Sequence, residues 1–391
     1  MIQVNPLVMV PGPTPIARSI QEQMAKETIA FHDPRFIADF DALVLELKNT
    51  WRCDGMAFAV AGSGTMAMEM AVSNTARRGD SVLVCSNGHF GDRYIDICSR
   101  KGYDLDTIKA PPGDTVSLEE IDERLAGKKT DVLVVTHVET STGVELPLFE
   151  LADMMRLKHP DVLLVADGVA SAGAVEFYMD WGIDVMLTCS QKGMGMAPGL
   201  GILWASQRAI EKRLNMPAIA ESYIDFAKWI PVMKDARAYW GTPPINMIWA
   251  LAEAVRIIKG EGIGERDRRH RRFAAAVRKS VSSLGFKLAA DEHLASPTVS
   301  AFLYPEGAQA KDEEFRAAVY DEGAHIAGCQ GDLAGAGFRV GHMGNITANT
   351  LVSLVAAIER GCLRCGYPIK PGSALAVLQE ELVAIGSQGR G

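Results

Sequence analysis

Apolar positions follow two regimes along the chain. Through the first two thirds, short continuous apolar runs alternate with stretches spaced for helices. The runs cover residues 57–61, 81–85, 131–136, 161–166, 185–189 and 201–204. They are rich in Val and Leu and show little in/out alternation, which is how a strand buried on both faces reads. Helical spacing fills the gaps at 65–77, where Met66, Met70 and Val72 share a stripe, and at 148–158 and 208–214. Such alternation predicts an α/β protein with a mostly parallel central sheet flanked by helices.

The final third differs. Long helices are expected at 245–258 and 271–283, a strand at 298–303 and a helix at 311–320. A Gly-rich stretch follows at 328–344, then a helix at 348–361. The expected organisation is an N-terminal arm (1–15), a large domain (16–261) and a smaller C-terminal α+β domain (262–391), fraying from Gly386 onward.

Composition narrows the class. Of 391 residues, 48% are hydrophobic and 23% charged, ordinary for a globular chain and wrong for a disordered, collagen-like or disulfide-stapled one. The net charge is −8, and the nearest thing to a basic run, RDRRHRR at 266–272, is short and reads as the polar face of a helix. Nucleic acid is therefore not an expected partner. No apolar run approaches the roughly 20 residues of a membrane span. The start of the chain lacks a secretory pattern, so a cytoplasmic location is expected. Seven cysteines suit no secreted framework, and Cys362 and Cys365 form a C-x-x-C pair with no second pair at zinc spacing. They read as buried or inert thiols, and no metal site is expected.

Open α/β sheets gather ligands at the carboxyl ends of their strands. After the run at 57–61 come Gly62, Ser63, Gly64 and Thr65, opening a helix. Glycines admit an anion, and free N–H groups with the helix dipole hold it. The same residues also suit an ordinary tight turn capped by Thr65. After 161–166 comes Asp167, a carboxylate that is costly to bury unless paired, or else a cap for the next turn. After 185–189 come Ser190, Gln191 and Lys192, followed by Gly193. Lys192 is either a functional amine or a loop lysine facing water. Phosphate cradle, carboxylate and lysine at one sheet edge form the set that pyridoxal phosphate needs. A lysine amine takes its aldehyde, an acid keeps its ring nitrogen protonated, and its phosphate must be anchored.

At these residues the chain resembles the class V aminotransferases of fold type I, most of all the alanine/serine–glyoxylate aminotransferase branch. The resemblance spans nearly the whole chain. It rests on Gly12-Pro13-Thr14, Gly62-Ser63-Gly64-Thr65, Asn87-Gly88-His89-Phe90-Gly91-Asp92-Arg93, His137-Val138-Glu139-Thr140-Ser141-Thr142-Gly143, Asp167-Gly168-Val169-Ala170-Ser171 and Ser190-Gln191-Lys192. Later matches are Tyr239-Trp240-Gly241-Thr242-Pro243, Phe338-Arg339-Val340-Gly341-His342-Met343-Gly344 and Gly366-Tyr367-Pro368.

The resemblance implies roles. Lys192 would bind the cofactor as a Schiff base and shuttle the proton. Asp167 would face the ring nitrogen. Phe90 would stack on the ring, where the family often has a larger tryptophan, and Val169 would pack on the other face. Thr140 would bond the phenolic oxygen, and Ser63, Gly64, Thr65 and Gln191 the phosphate. Tyr239 and Thr242 would reach the neighbouring subunit's phosphate in a homodimer. Arg339 would clamp the substrate α-carboxylate, with Gly12 also lining the substrate. His89 and His342 receive no proton-transfer role. Asp33 after His32 departs from a His-Arg pair common in this branch. The implied activity is ping-pong transfer of an amine from alanine or serine to glyoxylate or pyruvate. Alternatives are a pyridoxamine, ureidoglycine or aminophosphonate aminotransferase, a desulfurase-like lyase using Cys329, a nucleotide-binding protein using residues 62–65, and an accessory protein that kept the fold without turnover.

Overall fold

The computed structural model describes residues 5–308 and 311–388. The first four residues of the expected arm and residues 389–391 of the expected tail lie outside them. Seven strands form the main sheet in the order Met56–Ala61, Leu200–Ala205, Val185–Cys189, Leu163–Asp167, Val132–Thr136, Ser81–Ser86, Asp104–Lys109. All pairings are parallel except those of Leu200–Ala205, which runs against both neighbours. The six apolar runs are all strands, shifted by no more than two residues. Asp104–Lys109 has no such signal. It is an edge strand, half exposed, and its sequence DLDTIK carries charge on the open face.

Because six of the strands point the same way, Ala61, Ser86, Thr136, Asp167 and Cys189 end at one edge of the sheet. The loops that follow them therefore converge. Helices Gly64–Thr75, His89–Lys101 and Leu148–Lys158 start at that edge or return from it. Beneath lies a large apolar cluster whose densest knot is Trp51, Phe177 and Trp204. Trp51 and Trp204 rings lie 4.7 Å apart, and the Trp204 indole N–H donates to the Leu47 carbonyl at 3.0 Å.

A second sheet, in the order Lys287–Leu288, Val299–Leu303, Gly337–Gly341, Ala327–Gly328, packs with helices Ile263–Ser282, Asp312–Asp321, Ala348–Arg364 and Ser373–Gln388 around its own apolar cluster. A small third cluster (Val138, Ala170, Ala174, Val299, Met343) joins the two. The last helix runs through Gln388, past the expected start of fraying at Gly386. The strand at 337–341 emerges from the middle of the Gly-rich stretch.

Helix Ile263–Ser282 begins eight residues before the expected 271, directly after Gly262. The stretch RDRRHRR is not simply its solvent face. Arg266 is 2% exposed and His270 is fully buried. Arg266 donates to the carbonyls of Gly173 and Gly193 and to Asn345 Oδ1, and pairs with Glu261. His270 Nδ1 donates to the Arg266 carbonyl while its Nε2 accepts from the Gly344 N–H at 3.0 Å. Five-donor guanidinium geometry lets one buried cation satisfy several carbonyls at once.

The N-terminal segment joins the second unit. Leu7–Val8 pairs in parallel with Ala324–His325, and the Gly341 N–H donates to the Met9 carbonyl. Met9 sits inside the second apolar cluster. Among the described residues no helix is long and apolar enough to cross a membrane.

Replacing Trp204 by Ala removes the centre of the aromatic knot and its indole hydrogen bond to the Leu47 carbonyl, which keeps only the Trp51 N–H at 3.4 Å. The expected loss is about 3–5 kcal/mol, read as a lower urea midpoint with an unchanged m-value. A shift smaller than that of an exposed Leu157→Ala control contradicts the packing described.

Candidate active site

Each converging loop contributes a chemically distinct group. Ser63 caps helix Gly64–Thr75, its hydroxyl accepting from the Met66 N–H at 3.3 Å. The cap is thus Ser63 rather than Thr65. Gly64 packs closely, since a Cβ there would lie 3.2 Å from Val169 Cγ2 and would need that methyl to shift by a few tenths of an ångström. Thr65 Oγ1 accepts from Arg93 Nη1 at 3.1 Å.

Asp167, the last residue of its strand, is 2% exposed. Its Oδ1 accepts the Val169 N–H at 2.8 Å. Burial pushes its carboxyl from 3.8 up to about 7, against the Val169 hydrogen bond. The Glu139 charge adds to the rise, while Arg93 and Lys192 pull the other way. Nearby Tyr94 is fully buried with no partner for its hydroxyl, and burial raises its pKa.

Lys192 is not a solvated loop lysine. Burial lowers the pKa of its ammonium, which donates to the Pro11 carbonyl. Gly12 lies against it with φ +99°, and a Cβ there would come within 2.4 Å of Lys192 Cδ. Thr14 Oγ1 donates to the Lys192 carbonyl at 3.1 Å. Gln191 next to it has a buried Oε1 without a partner.

Phe90 stands in the first turn of helix His89–Lys101. That turn is closed by Glu139, a buried carboxylate absent from the roles assigned from sequence. Its Oε2 accepts from the N–H groups of Phe90 (2.9 Å) and Gly91 (3.2 Å), and its Oε1 from the N–H and Oγ of Ser141. An acid at a helix start satisfies orphan donors and opposes the dipole. The signal was available, because Glu139 follows a buried strand just as Asp167 does.

Arg339 lies mid-strand in the second sheet, 6% exposed. Its Nε donates to the Gly328 carbonyl at 2.8 Å and its Nη1 to the Thr140 carbonyl at 3.0 Å. Among the described residues no carboxylate pairs with it. Thr140 is buried beside it. Tyr239, by contrast, is 60% exposed, and its hydroxyl meets Thr242 Oγ1 at 3.2 Å. Its ring packs on Phe31, which in turn meets His32 edge-on. Asp33 caps helix Pro34–Thr50 and grips Arg35. His342 is buried, its Nδ1 donating to the Pro297 carbonyl and its Nε2 accepting from Ser300. Burial takes its pKa down to about 3, which leaves it a neutral packing residue.

The family profile described as Aminotransferase class-V matches residues 59–328. The chain belongs to that family. It is 33% identical to an L-aspartate–glyoxylate aminotransferase of Paracoccus denitrificans, over 97% of this chain and 96% of that one. It is 32% identical to a serine–glyoxylate aminotransferase of Hyphomicrobium methylovorum, covering 96% of this chain and 94% of the relative. The solved alanine–glyoxylate aminotransferase of a Nostoc species superposes with a TM-score of 0.86 at 32% identity, covering 92% and 96% of the two chains.

The fold is that of the fold type I aminotransferases, and the cofactor of this aminotransferase is pyridoxal phosphate. The groups present fit it. A buried amine with depressed basicity, a buried acid answered by one backbone N–H, the orphaned Gln191 oxygen and a Ser-Gly-Thr helix start offer partners to an aldehyde, a ring nitrogen and a phosphate.

Asp167 carries a pH signature. The folded chain holds its proton up to about 7 and the unfolded chain only to 3.8. Stability therefore falls as pH rises through that window. In cofactor-stripped enzyme, Asp167→Asn keeps the acceptor for Val169 and removes the buried charge. The variant is expected to melt above the wild type at pH 8, with the gap closing as pH falls to 4. A gap independent of pH contradicts the buried, protonatable acid.

Proposed function

We propose that this aminotransferase moves the amine of a small amino acid, alanine or serine, to glyoxylate or pyruvate in two ping-pong half-reactions. Arg339 carries the reading. A buried guanidinium held by two carbonyls, with no acid of its own, is set to receive a carboxylate, which every α-amino acid and 2-oxo acid presents. The three relatives share glyoxylate in their names and differ in the donor. A small side chain is favoured because Arg35 is engaged by Asp33.

When bound, pyridoxal phosphate supplies an aldehyde that accepts the amine and a cationic ring that stores the electrons left at the substrate α-carbon. The chain's residues do the rest. Asp167, ionised by a neighbouring cation, holds the proton on the ring nitrogen. Lys192 Nζ holds the aldehyde carbon and, once released, carries the α-proton across. Its burial lowers its basicity toward the range useful for that task. Phe90 and Val169 would pack on the two faces of the ring, Thr140 would meet the phenolic oxygen, and Ser63, Gly64, Thr65 and Gln191 would hold the phosphate. Gly12 keeps the wall beside Lys192 open for the substrate. Exposed Tyr239 and Thr242 complete the site of a second copy in a homodimer.

Cys329 favours this reading over a desulfurase. It is 8% exposed, and burial holds its thiol up to about 11, so it is not a ready thiolate.

Borohydride is expected to fix the cofactor's mass on the peptide containing Lys192, and Lys192→Ala to abolish both the label and amine transfer. Label found elsewhere refutes the lysine assignment. Arg339→Ala is expected to raise KM for every α-amino acid by about 30–100-fold, with Arg339→Lys recovering part. A KM that rises for one donor and not for others refutes the carboxylate clamp.

A further inference from the structure

We propose that Arg93 is a positioning residue for the cofactor's phosphate, aiming the Thr65 hydroxyl at it and contributing an unneutralised charge. The inference rests on the reading that the phosphate lies at Ser63, Gly64 and Thr65.

Arg93 projects from the first turns of helix His89–Lys101 and makes three contacts. Nη1 donates to Thr65 Oγ1 at 3.1 Å, Nη2 meets His89 Nε2 at 3.3 Å, and the guanidinium carbon stands 4.7 Å from the centre of the Phe90 ring. A guanidinium has only donors, so His89 Nε2 accepts and its proton sits on Nδ1. The Thr65 oxygen, with a lone pair occupied by Arg93, keeps its O–H free to donate elsewhere, which is what an anion requires.

The charge balance points the same way. Most other cations near Arg93 are spoken for, Arg78 of the same groove excepted. Arg100 pairs with Asp96, Lys101 with Glu221, Lys109 with Asp92 and Arg77 with Asp80. Among the described residues Arg93 pairs with no carboxylate. It is half-buried, and with Thr65 it lines one groove. Its positive charge reaches the buried Asp167, which places it within the electrostatic range of the site.

Two helices start at this sheet edge, and the fold treats them differently. The start of His89–Lys101 is filled by Glu139, which accepts from Phe90 and Gly91. The start of Gly64–Thr75 carries no acid. The Glu139 clamp fixes the turn that bears both Phe90 and Arg93, so stacking ring and phosphate-side cation move as one piece.

The test separates phosphate from ring. Full-length enzyme is stripped of cofactor and titrated with pyridoxal phosphate and with pyridoxal, which lacks the phosphate, following fluorescence quenching. Arg93→Met is expected to weaken pyridoxal phosphate about 10–100-fold, the worth of one charge-assisted hydrogen bond. Pyridoxal should stay within about twofold. Arg93→Lys should restore part of the phosphate-dependent affinity. In wild type, inorganic phosphate should compete with pyridoxal phosphate, and it should do so less well in Arg93→Met. Equal weakening of both ligands overturns the proposal and leaves Arg93 a support for Phe90. Unchanged affinity for pyridoxal phosphate also overturns it. If Arg93→Met does not fold, Arg93→Lys decides: weaker pyridoxal phosphate binding with pyridoxal unchanged supports the proposal, and wild-type affinity for both ligands overturns it. Failure of the underlying reading looks different: wild type would then show no preference for pyridoxal phosphate over pyridoxal.

Discussion

A carboxylate that water scarcely reaches must either keep its proton or find a cation. Asp167 sits under that constraint, walled by apolar strands and answered by one backbone N–H. Much else in the molecule follows from it. The strands are parallel enough that the acid, the amine at Lys192 and the helix start at Ser63 all stand at one edge of the sheet. A cationic heterocycle placed there would repay the desolvation of the acid, and the acid would in turn keep that ring charged.

The sheet was legible because strands buried on both faces must be apolar throughout. Asp104–Lys109 escaped notice for the complementary reason: one face meets solvent, and its charges hide the strand. The antiparallel sense of Leu200–Ala205 has no trace in its sequence, since burial on both faces looks the same in either direction. Helix Ile263–Ser282 was misplaced at its start because an arginine-rich turn reads as surface, whereas Arg266 and His270 face inward and serve loop carbonyls.

The site was legible in part. Lys192 and Asp167 stood out from position alone, as polar residues at the ends of buried runs. Phe90, Thr140, Val169 and Arg339 came only from resemblance, because nothing local separates them from core or from an ordinary ion pair. Arg339 meets the Thr140 carbonyl from the second sheet, a contact across nearly two hundred positions that no local pattern encodes. Glu139 was overlooked within a motif already noticed. Its task is to close a helix start, and that depends on which helix lies next to it in space.

The short strand Leu7–Val8 finds its partner at Ala324–His325, and the same segment supplies the Pro11 carbonyl that holds Lys192. During synthesis that partner leaves the ribosome long after the main sheet has emerged. The wall beside the lysine is therefore completed late, because the pairing that places it must wait for a strand more than three hundred positions further along the chain.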